Sequence, residues 1–311
     1  MIPTRLAGAA LTAALVLIPA TSASAAGSCL SVGVYQDNPA SGLPALKKHV
    51  GPGVTSISTY MTAGRPLSPS IIATANRSRA RLLVTWQPDG GRAGSKQPGY
   101  RLKAIAGGRY DASLRALVHQ LRGVRKGAVL RPMPEMNTPW YPWSGTANKN
   151  NPADYVKAWK RVRKAVRSAK GGKRIKLLWS PYSRSIPDTG PNAIRTYFPG
   201  SDQVDLVGAS GYNFGARPPL LWSEPGALFG SAYTTIEALA PKPFWLAETG
   251  SGASGGDKAG WITTLSTLQA TSMPKLAGVV WYDVKDAFGD FRLRTSPVTK
   301  AFSSLLKGAC R

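Results

Sequence analysis

Two acidic residues stand where the sequence could do chemistry. Glu135 lies in RPMPEMNTPWYPW (131–143), where an apolar run breaks into a Pro-rich stretch carrying Trp140, Tyr141 and Trp143. Glu248 lies in WLAETG, at the end of another apolar run. A pair of carboxylates on one sugar linkage is the minimum equipment for glycoside hydrolysis. One gives a proton to the departing oxygen; the other, ionised, attacks the anomeric carbon. Sugar rings also have apolar faces that stack on indoles and phenols, while their rims need hydrogen bonds. Trp86, Trp140, Tyr141, Trp143, Trp179, Tyr212, Trp281 and Tyr282 all fall at or just beyond the ends of apolar runs. Some of these would cap a core. Trp140 and Trp143, in the Pro-rich stretch, are the leading candidates for a binding platform, and Trp86 is a further one.

The two acids are 113 residues apart, so the fold must bring them together. Eight short apolar runs recur along the chain: SVGVY (31–35), SISTY (56–60), RLLVTW (81–86), AVLRPMP (128–134), IKLLWS (175–180), VDLVGAS (204–210), PFWLAE (243–248) and LAGVVWY (276–282). Their β-branched content and near-continuous apolarity suit strands buried on both faces. Helical patterns such as ASLRALVHQLRG, ADYVKAWKRVRKAVRSA and DKAGWITTLSTLQA lie between several of them, and SPVTKAFSSLLKG would close the chain. Eight β–α units predict an α/β protein of one class, a single (β/α)8 TIM barrel. Such barrels carry their sites at the carboxyl ends of the strands. Glu135 ends predicted strand four and Glu248 ends predicted strand seven, so both face one mouth. Each acid alone also fits a plainer role: Glu135 in an ion pair with an arginine, Glu248 at a helix start.

Other chemistries lack their parts. The histidines, His49 and His119, sit on predicted helices away from strand ends, which leaves no base for a serine nucleophile and too few ligands for zinc. GSGASGGDK is Gly-rich but lacks the G-K-[ST] ending of a phosphate loop. Asp283, Asp286 and Asp290 do not have the spacing of a calcium loop. Asp37 and Asp205 suit hydrogen bonding at strand ends. No metal and no organic cofactor is expected.

The order RPMPEMNTPWYPW, LLWSPY, VDLVGASGYN, KPFWLAETGS with GGDKAGWI, then GVVWYDVKDAFGDFRL resembles glycoside hydrolase family 26, which holds β-mannanases with some mixed-linkage β-glucanases and β-1,3-xylanases. The resemblance covers strands three to eight. It implies that Glu135 is the acid/base and Glu248 the nucleophile. It further implies that Tyr212 hydrogen-bonds the nucleophile, that Trp281 lies under the sugar at the cleavage point, and that Arg131 and Asn137 hold the strand-four end. Two positions depart from the family pattern. Pro134 stands where histidine usually precedes the acid/base, and Thr138 where glycine follows E-M-N. Proline cannot donate a hydrogen bond, so substrate contacts there must differ.

Composition sets the surroundings. In the 311-residue chain, residues 1–26 read as a signal peptide: Arg5, then LAGAALTAALVLIPA, then the small residues TSASAA. Residues 27–311 are expected to form one catalytic domain, secreted to the extracellular space, with no membrane span. Cys29 and Cys310 near the ends of that domain are expected to form one disulfide. Forty basic against 15 acidic residues give a formal charge of +25. The basic residues are spread along the chain and the densest run, YVKAWKRVRKAVRSAKGGKR, has an apolar stripe of Val156, Trp159, Val162 and Val166. That pattern is a solvated helix face rather than a specific nucleic-acid motif; it would suit adsorption to anionic cell-wall or soil polymer. The expected protein is a monomeric, secreted, retaining endo-β-glycanase acting on β-1,4-mannan or a related polysaccharide. The alternatives are a mixed-linkage β-glucanase, a β-1,3-xylanase, or a non-catalytic carbohydrate-binding barrel at the cell surface.

Overall fold

The eight apolar runs become eight parallel strands that pair in sequence order and close, first against last, into a barrel. They are β1 (Ser31–Tyr35), β2 (Ser56–Thr62), β3 (Arg81–Gln87), β4 (Ala128–Pro132), β5 (Lys176–Trp179), β6 (Leu206–Asn213), β7 (Phe244–Ser251) and β8 (Leu276–Tyr282). The helices are α1 (Pro39–Val50), α2 (Pro69–Arg77), α3 (Leu102–Ala106), α4 (Asp111–Leu121), α5 (Pro152–Ser168), α6 (Pro225–Leu239), α7 (Lys258–Thr271) and α8 (Ser296–Lys307). A computed structural model describes residues 29–216 and 221–310. The signal peptide expected over residues 1–26 lies outside the described residues.

The alternation of strand and helix is uneven. Two helices, α3 and α4, fill the crossover from β3 to β4. The crossover from β5 to β6 has three single-turn 3₁₀ segments and no α-helix. Pro181, Pro187, Pro191 and Pro199 punctuate that stretch, and a helix cannot run through prolines so spaced.

Side-chain alternation splits the core in two. Leu83, Val129, Leu178, Leu206, Trp245, Ala247 and Val280 fill the barrel interior. The intervening residues, among them Leu82, Val84, Leu130, Leu177, Val207 and Val279, face the helix layer. The indole of Trp245 plugs the interior because its neighbour has no side chain: a Cβ on Gly278 would meet that ring at 2.3 Å.

Local chemistry anchors the helices. The side chain of Asn151 accepts from the Asp154 amide at 2.9 Å and caps α5, with Pro152 in its first turn. The buried stripe of α5 is Tyr155, Ala158, Trp159, Val162, Ala165 and Val166; Val156 is only half-buried at its edge. Asp205 takes the role expected of it, accepting from the Leu177 amide at 2.7 Å and pairing with Arg167 at 2.5 Å. Cys29 and Cys310 are bonded, with Cα atoms 4.8 Å apart, beside the Leu30–Ala309 bridge. The two ends of the described chain therefore meet under the barrel. Among the described residues, no helix is long and apolar enough to cross a membrane.

Candidate active site

Glu135 sits three residues beyond β4, in a turn held by unusual backbone. Both Met133 (φ 49°) and Glu135 (φ 57°) adopt the left-handed conformation, which costs an L-residue about 1–2 kcal/mol. Surrounding bonds fix the turn. The Glu135 amide donates to the Ser180 carbonyl at 2.9 Å, and the Glu135 carbonyl accepts from the Thr138 hydroxyl at 2.8 Å. The Pro134 carbonyl accepts from the Trp143 indole at 2.7 Å. Both positions that depart from the family pattern are thus built into this turn.

Glu248 reaches the mouth by a different device. Trp245 and Ala247 point into the barrel, so plain alternation would send residue 248 outward. The register slips here on both sides: Ala209 pairs with Leu246 but Ser210 with Glu248, and the pairing with β8 also shifts between Leu246 and Thr249. Such a bulge re-aims a side chain. Strand β7 then continues to Ser251, so Glu248 stands inside the strand rather than at its expected end.

Arg131 joins the two acids. It is buried, and one guanidinium nitrogen contacts Glu248 at 2.5 Å while the other lies 3.5 Å from Glu135 and also donates to the Ser210 hydroxyl. Burial opposes the charge on Arg131, but Glu248 and Glu135 outweigh it and raise its pKa. Tyr212 donates to the other oxygen of Glu248, and Tyr141 donates to Glu135 at 3.3 Å. Burial, followed by the charge of Glu248, pushes the Glu135 carboxyl up to about 7, against the pull of Arg131. Burial and the nearby carboxylates also raise Tyr60, Tyr141 and Tyr212 well above the usual phenol range. These phenols stay protonated and act as donors.

The remaining expected site residues divide. Asn137 is buried and holds the loop after β5 by two bonds to the Tyr182 backbone, at 2.8 and 3.0 Å. Trp140 is 42% exposed and meets Tyr182 edge-on at 5.1 Å, as a platform would require. Trp143 is not part of any platform. It is fully buried and stacked behind Tyr141 at 4.5 Å. Trp86 also faces away from the mouth, packing on Tyr110 in the helix layer. Trp281 does the same: it is fully buried against Trp261 of α7 and Phe302 of α8. The cause is parity. Thr85, Val280 and Tyr282 occupy the inward positions of β3 and β8, so the neighbouring tryptophans point outward.

Phenols, two of them among the expected aromatics, line the mouth. Tyr35 stacks on Tyr282 at 5.3 Å, and Tyr282 meets Tyr212 at 5.7 Å. A cleft of about 700 Å³ opens on the β5–β6 side, with Tyr182, Tyr212 and Trp222 in its walls. A second, of about 320 Å³, opens on the β1–β2 side at Tyr35 and Tyr60. Among the described residues, no group of His, Cys, Asp or Glu is arranged to hold a metal. Asp283 instead accepts from Gln36 and the Leu293 amide, Asp286 from two loop amides, and Asp290 pairs with Arg292.

Residues 105–224 match the sequence model of Glycosyl hydrolase family 26. Endoglucanase H of Acetivibrio thermocellus is 27% identical over 220 residues, covering 70% of this chain and 23% of that protein. A beta-1,3-xylanase of an Alcaligenes species is 27% identical over 110 residues, covering 35% of this chain and 22% of that protein. The chain thus spans about a quarter of the length of these relatives. A Cellulomonas fimi endo-beta-1,4-mannanase double mutant superimposes with a TM-score of 0.65 at 16% identity, over 89% of this chain and 70% of that one. That likeness extends the shared fold across the barrel, including strands outside the matched segment, and over residues 105–224 the chain is similar in sequence to glycoside hydrolase family 26.

Proposed function

We propose that the chain is a retaining endo-β-glycanase in which Glu248 is the nucleophile and Glu135 the acid/base. The observation that carries this reading is the single buried guanidinium of Arg131, which touches both carboxylates across the mouth. A shared guanidinium is compatible with the carboxyl spacing of about 5–5.5 Å at which a covalent intermediate forms and configuration is retained. Glu248 attacks the anomeric carbon while the departing oxygen takes the proton of Glu135. A covalent glycosyl ester forms. Glu135, now a carboxylate, takes a proton from water; that water attacks the anomeric carbon and frees Glu248. The hydrogen bond from Tyr212 and the ion pair with Arg131 hold the Glu248 carboxyl aimed at the mouth.

Clefts on both sides of the carboxylates suit a polymer that runs through the site, hence internal cleavage. The relatives and neighbours are described as an endoglucanase, a beta-1,3-xylanase and an endo-beta-1,4-mannanase, so the substrate class proposed is a β-linked polysaccharide, mannan among its members. The disulfide and the expected signal peptide support export as one catalytic domain over residues 27–311. Reducing-sugar release from β-mannan, mixed-linkage β-glucan and β-1,3-xylan tests the reading. Cleavage of at least one polymer, abolished by Glu248→Ala, is the expected result. Intact polymers that nevertheless retard the protein in an affinity gel would leave a carbohydrate-binding barrel instead.

A further inference from the structure

The larger cleft carries a charge that a neutral polysaccharide does not require. Arg184 and Arg195 both line it, together with Tyr182, Tyr212, Trp222 and a single acid, Asp188. With 40 basic and 15 acidic residues, cations far outnumber the carboxylates that could pair with them, so being unpaired is not distinctive. Position is. Tyr212 lines the cleft and donates to Glu248. Tyr182 forms another part of its wall and meets Trp140 edge-on. The guanidinium groups therefore lie along the path that a glycan leaving Glu248 would follow.

The arginines are also mounted on a fixed support. They belong to the loop after β5, which is pinned to the turn of Glu135. Asn137 bonds both backbone groups of Tyr182, and its own carbonyl accepts from the Ile186 amide at 2.9 Å and the Asn192 side chain at 3.0 Å. Asn192 in turn accepts from the Tyr197 hydroxyl at 2.5 Å. Arg184 and Arg195 are exposed on this scaffold, and among the described residues neither side chain has a hydrogen bond or ion pair. A guanidinium presents a planar fork of donors that matches a carboxylate or a sulfate ester.

We propose that this cleft binds an anionic sugar unit, so that the preferred substrate is a β-glycan bearing carboxylate or sulfate groups. The proposal rests on the hydrolase reading of the same site. The overall charge of +25 acts in the same direction, drawing a polyanion toward the mouth.

The test uses one soluble β-glycan that the enzyme cuts, in three forms: unmodified, lightly carboxymethylated and lightly sulfated. Wild type is expected to cut at least one anionic form roughly ten-fold more efficiently in kcat/KM than the neutral parent. The form that gains identifies the group. The gain should vanish near 1 M salt, where charges are screened within about 3 Å. Arg184→Gln with Arg195→Gln should remove it, so that the variant cuts the anionic and neutral forms with about equal kcat/KM. Lys157→Gln with Lys160→Gln, an equal loss of charge on the outer face of α5, should leave it intact. Equal rates on all three polymers, or equal loss in the two double variants, would overturn the cleft proposal while leaving the hydrolase reading in place. If nothing is cut, affinity-gel retardation by the anionic polymers decides: weaker retardation of the arginine variant alone supports the cleft, and equal retardation of all three proteins overturns it.

Discussion

Replacing Glu135 by glutamine should stabilise the protein, and by an amount that depends on pH. The carboxyl titrates at 4.5 when unperturbed and at about 7 in the fold, because burial and then Glu248 disfavour its charge. Between those values the unfolded chain has released its proton and the folded chain has kept it. Stability therefore falls as pH rises through this window, is unaffected by Glu135 below about 4.5, and carries the whole penalty above about 7. A displacement of that size corresponds to about 3 kcal/mol. Glu135→Gln keeps the shape of the side chain and removes the titration. The stability of the variant relative to wild type should improve by about 3 kcal/mol between pH 4.5 and about pH 8, or roughly 5–10 °C in Tm for a chain of this size. Denaturant or thermal unfolding across that range reads the difference directly. A gap that stays constant with pH, or one that shifts toward wild type at high pH, would refute the electrostatic account of the site. The kinetic counterpart is an alkaline limb in kcat/KM near pH 7.

Three further outcomes follow from the geometry. Glu248→Ala should abolish turnover on every substrate, while Glu135→Ala should keep much more activity on aryl glycosides with good leaving groups; equal small losses in both, measured by steady-state kinetics, would contradict the assigned roles. Tyr282→Ala should raise KM with little change in Tm, whereas Trp281→Ala, which empties a fully buried position between α7 and α8, should cost about 3–5 kcal/mol of stability by denaturant unfolding. Cys29→Ser with Cys310→Ser should lower unfolding stability by about 3–5 kcal/mol, since the bridge closes a loop of 281 residues, and leave the pH profile of activity unchanged.

The barrel was legible because buried parallel strands leave a signal on both faces, and all eight runs match observed strands to within a few residues. The two acids stood out because each closes an apolar run in the sequence, although β7 continues past Glu248 to Ser251. Three of the expected tryptophans were misplaced because proximity to a strand end says nothing about which way a side chain points. A shift of one residue decides that, and it sends Trp86, Trp179 and Trp281 to the helices while Tyr35, Tyr60, Tyr212 and Tyr282 enter the mouth. Counting parity from the alternating residues of each run would have separated the two sets. The same count would have failed at Glu248, which is turned inward by a bulge that no local residue type announces. Trp143 was hidden for another reason: its indole is consumed by the Pro134 carbonyl, a contact set by the left-handed turn at Glu135. The loop after β5, with its prolines, carries no helical or strand pattern in sequence, yet it forms part of the wall of the larger cleft.

The charges around Glu135 also imply that its acidity changes during the reaction. Burial and the charge of Glu248 hold its proton on in the resting enzyme, which is what the first step of the proposed mechanism needs. Once Glu248 becomes a glycosyl ester it is neutral, and the repulsion that raised Glu135 disappears. Arg131 then faces one carboxylate instead of two, so its attraction favours the ionised form of Glu135 at the step where a base must take a proton from water. The phenols Tyr60, Tyr141 and Tyr212 stay protonated throughout and cannot supply that change. The pKa of Glu135 should therefore fall when the intermediate is trapped with a slowly turning-over fluorinated glycoside. Carbon NMR of labelled glutamate, with Glu135→Gln to assign the signal, measures both states. An unchanged or higher pKa in the trapped enzyme would show that Glu248 does not control the acidity of its partner.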